Sequence, residues 1–185
     1  MIRAFVAADL PAPLREHLAG AQAGLAIGRP VPPENFHLTL AFLGPHPRPT
    51  LEDLHLGLEE ISPPAFDITV TGLGTFGGAE PHALFAAVPV TPELKHLRAK
   101  IRQAAGQAGI PLAHERFIPH ITLGRFGRLS PGDLLELQEF IADRADLKVG
   151  ASRIEGFSLI RSTLRAGGPP HYEAMAAYPL TERPD

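Results

Sequence analysis

Two short segments of the chain pair a histidine with a threonine two residues later, His37 with Thr39 and His120 with Thr122. In a β-strand, residues i and i+2 point to the same face about 7 Å apart, so each imidazole lies beside its hydroxyl. If the two strands face each other, both pairs converge on one small volume, which suits in-line displacement at phosphorus. A neutral histidine would take a proton from the attacking water and a protonated one would give a proton to the leaving oxygen, while the threonines hold phosphate oxygens. The near symmetry of the segments leaves open which histidine is the acid and which is the base.

This chemistry requires no metal ion if positive charge and fixed hydrogen-bond donors stabilise the phosphorane-like state. A zinc site built from His37, His120 and His114 is disfavoured, because no His-x-x-x-His pattern accompanies these residues. We therefore expect neither a metal nor a cofactor.

The two segments lie inside a longer internal repeat. Phe-Val-Ala-Ala at residues 5–8 matches Phe-Ala-Ala-Val at 85–88 with an offset of 80, and residues 37–44 match 120–127 with an offset of 83. Each half reads strand, helix, strand, helix, strand. The repeat predicts two similar lobes related by a pseudo-two-fold axis, with a cleft between matching strands. We expect a single two-lobed domain over residues 1–185, with sequence halves 1–76 and 79–185.

The hydrophobic pattern predicts the elements that position the motifs. The first motif lies in a strand whose apolar face is expected to carry Phe36, Leu38, Leu40 and Phe42. A proline or a capping hydroxyl precedes each predicted helix, and the helices are expected to start at Pro11, Thr50, Thr91 and Ser130. Strands are expected at residues 2–8, 36–43, 66–73, 83–90, 118–126, 150–160 and 172–180.

Two further residues are candidates for substrate binding. Arg125 lies three residues after Thr122 and could bind a phosphate. Strand alternation places the two on opposite faces, so Arg125 reaches the phosphate only if Gly124 permits a bulge or a twist. Phe5 could stack on a nucleobase, although its apolar surroundings in the sequence favour a place in the core.

Composition narrows the class of protein. The 185 residues are 44% hydrophobic, contain no cysteine and carry a net charge of −3, with no apolar run of the roughly 18 residues that a membrane span needs. Disulfides, thiolate metal sites and a cysteine nucleophile are excluded. The negative net charge predicts local binding of a terminus or a phosphate, and not a long nucleic-acid track. We expect a cytoplasmic protein without a membrane partner.

The paired motifs, 83 residues apart, resemble those of the two-histidine phosphoesterase superfamily. The flanking blocks are similar to those of the bacterial and archaeal RNA 2′,3′-cyclic phosphodiesterases, long called 2′–5′ RNA ligases. These blocks are Arg-Ala-Phe-Val-Ala at 3–7, Pro-Glu-Asn-Phe at 33–36, Phe-Leu-Gly at 42–44, Phe-Ile-Pro at 117–119 and the stretch 162–172.

This resemblance implies an α+β fold of two lobes, each an antiparallel sheet with helices on the outside, and an active site in the cleft between them. It also implies hydrolysis of RNA 2′,3′-cyclic phosphate ends to 2′-phosphates. By the family's pattern His37 is the general acid, or proton donor, and His120 is the general base, or proton acceptor. Thr39 and Thr122 would then hold the phosphate, and Arg125 falls where the family often carries a phosphate-contacting arginine.

Other activities remain open from the residues alone. They are reversible 2′–5′ ligation of tRNA halves, hydrolysis of small cyclic nucleotides, and non-catalytic binding of RNA ends. The expected partners are RNA ends with a 2′,3′-cyclic phosphate or small cyclic nucleotides, bound by a monomer. A net charge of −3 argues against a wide tRNA footprint and favours hydrolysis of short ends.

Overall fold

The computed structural model describes residues 1–182, which form ten β-strands, four α-helices and one 3₁₀ turn at Pro33–Asn35. The strands are β1 (Ile2–Ala8), β2 (Arg29–Pro30), β3 (Leu38–His46), β4 (Phe66–Val70), β5 (Leu73–Phe76), β6 (Ala83–Ala87), β7 (His120–Arg125), β8 (Val149–Ile154), β9 (Gly156–Thr163) and β10 (His171–Pro179). The helices are α1 (Ala12–Gln22), α2 (Arg48–Glu59), α3 (Pro92–Gln107) and α4 (Pro131–Ala142).

The two motif strands lie side by side at the centre of one antiparallel sheet. The strand order is β10-β9-β1-β3-β7-β6-β5, with β2 paired to the end of β7, and Leu38 of β3 pairs with Ile121 of β7. One lobe contains β10-β9-β1-β3 and the other contains β7-β6-β5. The expected α+β class and two-lobed antiparallel arrangement are therefore confirmed. β9 and β10 come late in the chain, yet they extend the lobe that contains β1.

Both motif strands contain a β-bulge directly after the threonine of the motif. Thr39 pairs with Ala7 and Ala41 with Val6, and in the other lobe Thr122 pairs with Phe85. The extra residue reverses the alternation, so that 40–41 and 123–124 are consecutive buried pairs. The expectation that Phe42 faces the core is wrong for this reason: its side chain is 65% exposed.

Two helices start at the predicted capping residues, and a third starts earlier than predicted because of a proline. The Thr91 hydroxyl accepts a hydrogen bond from the Leu94 amide at the start of α3, and Ser130 forms a capping box with Asp133 at the start of α4. Helix α2 begins at Arg48 and not at Thr50, because Pro49 suits the first helical turn.

The predicted strand at residues 66–73 is two strands in two different sheets. Gly72, with a φ of +128°, separates β4 from β5. β4 pairs with β8 in a separate two-stranded sheet, whereas β5 pairs with β6 in the main sheet. The predicted strand at 150–160 is likewise divided between β8 and β9.

One hydrophobic core supports the motif strands from beneath. Leu38 and Ile121 are each 0% exposed and belong to it, together with apolar side chains from all four helices. The helical members include Leu14, Leu18, Leu54, Leu58, Leu97, Ile101 and Leu137. Within residues 1–182, no helix is both long and apolar enough to span a bilayer.

Candidate active site

Antiparallel pairing determines which side chains of the two motifs are neighbours. Leu38 lies opposite Ile121. Continuing that register by one residue in each direction places His37 opposite Thr122 and Thr39 opposite His120. Side chains that are directly opposed in such a pair have β-carbons within about 5.5 Å of each other. Because Leu38 and Ile121 are buried beneath, the four polar side chains lie on the other face. His37 and Thr122 line one cavity, Thr39 and His120 line the adjoining one, and the charge of His120 acts on His37.

The two imidazoles are oriented by the same hydrogen bond. Nδ1 of His37 lies 2.7 Å from the carbonyl oxygen of Asn35, and Nδ1 of His120 lies 2.7 Å from the carbonyl oxygen of Ile118. A carbonyl oxygen only accepts, so Nδ1–H donates in both rings. In the neutral ring, Nε2 then carries the lone pair, and in the charged ring it carries an acidic proton. Each histidine can therefore act as base or acid through Nε2.

Burial lowers the pKa of both histidines below the usual value of 6.5. The positive charge of Arg125 lowers both pKa values further, and His120 also lowers the pKa of His37. Around neutral pH the free site thus holds mainly neutral imidazoles. A phosphate anion bound between them would raise both pKa values, since an adjacent negative charge favours the protonated ring.

Matching aromatic residues pack against the two histidine rings. The Phe5 ring lies 4.7 Å from the His37 ring, and the Phe85 ring lies 5.5 Å from the His120 ring, measured between centroids. Phe5 and Phe85 are the residues that the internal repeat aligns. Phe5 is only 4% exposed, so the structure places it beneath His37 as a support for the imidazole and not on an open face of the cleft.

A third ring on each side breaks this symmetry. Tyr172 lies edge-on to His37 at 5.3 Å, and Phe76 lies edge-on to His120 at 4.7 Å. Burial raises the pKa of Tyr172 above its usual 10.0, so its hydroxyl stays protonated and can donate a hydrogen bond. Phe76 has no such group.

The bulge at residues 123–124 brings Arg125 to the face of Thr122. The sequence predicts that Arg125 reaches the phosphate only if a bulge forms at Gly124. The pairing of β6 with β7 contains this bulge. Arg125 lines the same cavity as His37, Thr122 and Tyr172. At the equivalent bulge of β3, Phe42 occupies the position that Arg125 holds in β7.

Two cavities adjoin the motif residues, one on each side. The His37-side cavity has a volume of about 710 Å³, and most of its lining is apolar. It is lined by His37, Thr122, Arg125, Tyr172, Phe126, Asn35 and residues 28–32, 127 and 167–170. The His120-side cavity has a volume of about 370 Å³. It is lined by His120, Thr39 to Phe42, Phe76, Arg98, Arg102 and residues 112–113 and 115–118.

Two residues that the sequence analysis did not single out hold the His37 loop in place. Arg15 of α1 donates through Nη1 to the carbonyl oxygens of Pro33, Glu34 and Phe36. The Asn35 side chain donates to the carbonyl oxygen of Pro170, at a distance of 3.1 Å. These contacts join distant parts of the chain, and no local sequence pattern predicts them.

Within residues 1–182, the structure brings together no group of three or more histidine, aspartate or glutamate side chains with a geometry for metal binding. His114, which the zinc hypothesis required, is exposed and lines neither cavity.

Both the sequence and the fold resemble those of known proteins. A model of the 2′–5′ RNA ligase superfamily matches residues 4–166. The chain belongs to this superfamily. The resemblance noted in the sequence is thereby confirmed.

Curated members of the superfamily resemble the chain over much of its length. An RNA 2′,3′-cyclic phosphodiesterase from Thermus thermophilus is 34% identical over 180 residues, which cover 91% of this chain and 85% of that protein. A protein of the same name from Escherichia coli is 34% identical over 127 residues, which cover 66% of this chain and 71% of that protein.

Solved structures of similar proteins agree with the fold. The crystal structure of E. coli LigT complexed with 3′-AMP matches with a TM-score of 0.75 at 27% identity, covering 98% of this chain and 99% of LigT. The crystal structure of the protein TT0787 from Thermus thermophilus matches with a TM-score of 0.78 at 30% identity, covering 97% of this chain and 98% of that chain.

Proposed function

We propose that this protein is an RNA 2′,3′-cyclic phosphodiesterase, which opens the cyclic phosphate at an RNA end to a 2′-phosphate without a metal ion. The observation that carries the proposal is the opposed pair of His-x-Thr motifs. Each imidazole in it is oriented through Nδ1 and so keeps Nε2 for proton transfer. The names of the curated relatives support the choice of substrate.

The reaction is an in-line displacement at phosphorus. A bond forms between the water oxygen and phosphorus, and the bond between phosphorus and the ribose 3′ oxygen breaks. One neutral histidine takes the proton of the water, and one protonated histidine gives its proton to the departing 3′ oxygen. The first histidine ends protonated and the second neutral, so the site exchanges these states before the next turnover.

The difference between the two cavities supports His37 as the acid and His120 as the base. The ribose must lie on the side of the leaving oxygen, opposite the attacking water. The His37-side cavity, at about 710 Å³, has about twice the volume of the His120-side cavity, and its lining of apolar side chains with a few polar groups suits a nucleoside. The leaving 3′ oxygen then lies near His37, and the water approaches from the side of His120.

The remaining candidate residues stabilise the charge that develops on the phosphate. Thr39 and Thr122 donate hydrogen bonds to its non-bridging oxygens. Arg125 lines the His37-side cavity and places a fixed positive charge beside the phosphate. Fixed charges of this kind stabilise the negative charge that develops in the transition state. Phe5 supports the His37 ring. The mechanism uses residues of one chain and needs no second copy, and we propose a monomer as the working unit.

The test is an incubation with a short RNA that ends in a 2′,3′-cyclic phosphate, in the presence of EDTA, with the 2′- and 3′-phosphate products resolved. We expect a 2′-phosphate product at undiminished rate. A 3′-phosphate product would contradict the leaving group assigned here. Complete loss of turnover in EDTA, restored by added metal, would contradict the metal-free mechanism.

A further inference from the structure

We propose that Arg98, Arg102 and Arg116 form a second anion site that binds RNA phosphodiester groups next to the reaction centre. The inference rests on the proposed function, and it adds an RNA strand with at least one internal phosphodiester to the ligands of the site. It also gives a role to the His120-side cavity.

The three arginines share the His120-side cavity with the catalytic motifs. They line it together with Thr39 and His120. Its volume of about 370 Å³ exceeds the ~30 Å³ that one water occupies in the liquid. The cavity is therefore larger than the delivery of an attacking water requires.

The cavity concentrates positive charge in a chain whose net charge is −3. Glu115 is the one carboxylate among the described residues that line it. Arg98 and Arg102 lie four residues apart on α3, where two like charges repel each other. Burial and the charge of Arg102 lower the pKa of Arg98, and the negative charge of Glu115 raises it by less. A bound anion would relieve this repulsion.

The guanidinium groups keep hydrogen-bond donors for a ligand. In the part of the chain that the structure describes, no ion pair within 4.0 Å involves any of the three arginines. Among the described residues, one hydrogen bond is made by these guanidinium groups, from Nη2 of Arg102 to the carbonyl oxygen of Leu112. A guanidinium presents a planar fork of donors that matches two oxygens of a phosphate.

Two of the arginines are held in place by the segment that leads to His120. The guanidinium of Arg98 lies 4.4 Å above the centre of the Phe117 ring, and Nη2 of Arg102 donates to the carbonyl oxygen of Leu112. Both contacts fix the cationic groups before any ligand arrives, which reduces the entropy lost on binding.

An exposed aromatic surface adjoins the arginines. Phe42 is 65% exposed and Ile118 is 46% exposed, and both line the same cavity. Cationic groups beside an open aromatic ring are the combination that binds single-stranded nucleic acid, with phosphates on the arginines and a base on the ring. The chemistry of the cavity thus fits RNA better than an isolated inorganic anion.

The phosphodiester groups can come from two sources. They belong either to the strand that carries the cyclic end or to a separate strand that lies on the side of the attacking group. The first measurement is therefore the ratio of kcat/KM for a trinucleotide ending in a 2′,3′-cyclic phosphate to kcat/KM for a mononucleoside 2′,3′-cyclic phosphate. The second is inhibition of mononucleotide hydrolysis by a trinucleotide with free 5′- and 3′-hydroxyls.

We expect a ratio above about tenfold in the wild-type protein, or inhibition by the hydroxyl-ended trinucleotide. The variant Arg102→Gln/Arg116→Gln should lower the kcat/KM ratio, or weaken the inhibition by the trinucleotide, at least about fivefold. It should also flatten the salt dependence by roughly 0.7 in log–log slope for each phosphate that is no longer bound. Lys100→Gln/Lys148→Gln is the matched control, because it also removes two positive charges. Lys100 is exposed and lies two positions from Arg98 and Arg102 on α3, so it faces elsewhere. Lys148 is exposed and lines neither cavity.

A lowered ratio assigns the phosphodiesters to the cleaved strand, and lowered inhibition assigns them to a separate strand. A ratio near one without inhibition in the wild-type protein would overturn the inference, and so would equal effects of the arginine double variant and the lysine double variant. Hydrolysis of the mononucleotide reports the proposed function separately. If no substrate turns over, anisotropy of a labelled trinucleotide still tests the site, and equal affinity for wild type and the arginine double variant would overturn it.

Discussion

The His37 side and the His120 side of the site share a framework and differ in the residues around it. Each side has a histidine bonded through Nδ1 to the carbonyl two residues earlier, a phenylalanine packed on its ring, and a bulge after its threonine. This framework is what the internal repeat preserves. It provides two groups capable of proton transfer, and it does not distinguish between them.

The differences lie at positions that surround this framework. Arg125 on one strand corresponds to Phe42 on the other. The ring that lies edge-on to His37 is Tyr172, in β10, whereas the ring that lies edge-on to His120 is Phe76, in β5. In the proposed mechanism, the repeat supplies both catalytic histidines, whereas the unlike residues around them give the reaction a direction. Variants of the shared framework and of the differing residues test this interpretation. We expect the largest loss of activity from variants of the shared framework.

Loss of either imidazole tests the shared framework. His37→Ala and His120→Ala should each lower kcat by at least the ~100-fold that is typical of a lost acid–base catalyst. Circular dichroism and thermal unfolding of each variant check that the fold persists. Wild-type turnover in either folded variant would show that the site does not use two histidines.

Substitutions at Arg125 and Phe42, the equivalent bulge positions, test the difference between the two sides. Arg125→Gln should lower kcat/KM by about 10- to 100-fold, because it removes a positive charge from the developing phosphate charge. Arg125→Lys should recover part of this loss, since the charge returns without the planar fork. Phe42→Leu should lower kcat/KM for a mononucleoside cyclic phosphate far less. Equal losses for Arg125→Gln and Phe42→Leu would mean that the two positions are equivalent in function.

The pH profile gives a smaller effect, with a defined sign. One histidine must be protonated and the other neutral, and both pKa values in the free site lie below 6.5. The bell-shaped profile of kcat/KM should therefore peak below pH 6.5 and fall by up to about tenfold per pH unit on its alkaline side. Bound phosphate raises both pKa values, so the kcat profile should peak at higher pH.

Arg125 links the pH profile to the asymmetry. Its positive charge lowers both histidine pKa values, so Arg125→Gln should move the kcat/KM profile towards higher pH. A wild-type maximum at pH 7.5, or a shift of the variant towards lower pH, would contradict the electrostatic account of the site.

Features governed by neighbours in the sequence could be predicted from it. The strand at residues 2–8 and the caps at Thr91 and Ser130 depend on local apolar runs and local hydrogen bonds. The common face of His37 and Thr39 follows from strand alternation alone. The repeat then indicated that the second motif would join the first.

Features governed by contacts between distant segments could not be predicted. The bulge that exposes Phe42 depends on how β3 pairs with β1, and alternation alone placed this residue in the core. Arg15 holds the loop before His37 through carbonyls 18 to 21 residues away. The aligned repeat contains one signal that the sequence analysis left unused: it sets Phe42 against Arg125. This contrast would have predicted that the two sides of the site differ.

The most direct test of the central claim uses a substrate in which sulfur replaces the 3′ bridging oxygen of the cyclic phosphate. A thiolate leaves without protonation, so this substrate needs the general base and not the general acid. We predict that His37→Ala hydrolyses the sulfur substrate at a rate close to that of the wild-type protein, whereas His120→Ala remains at least ~100-fold slower. Rescue of His120→Ala in place of His37→Ala would contradict the assigned roles, and equal rescue of both would contradict the division of labour between the two sides.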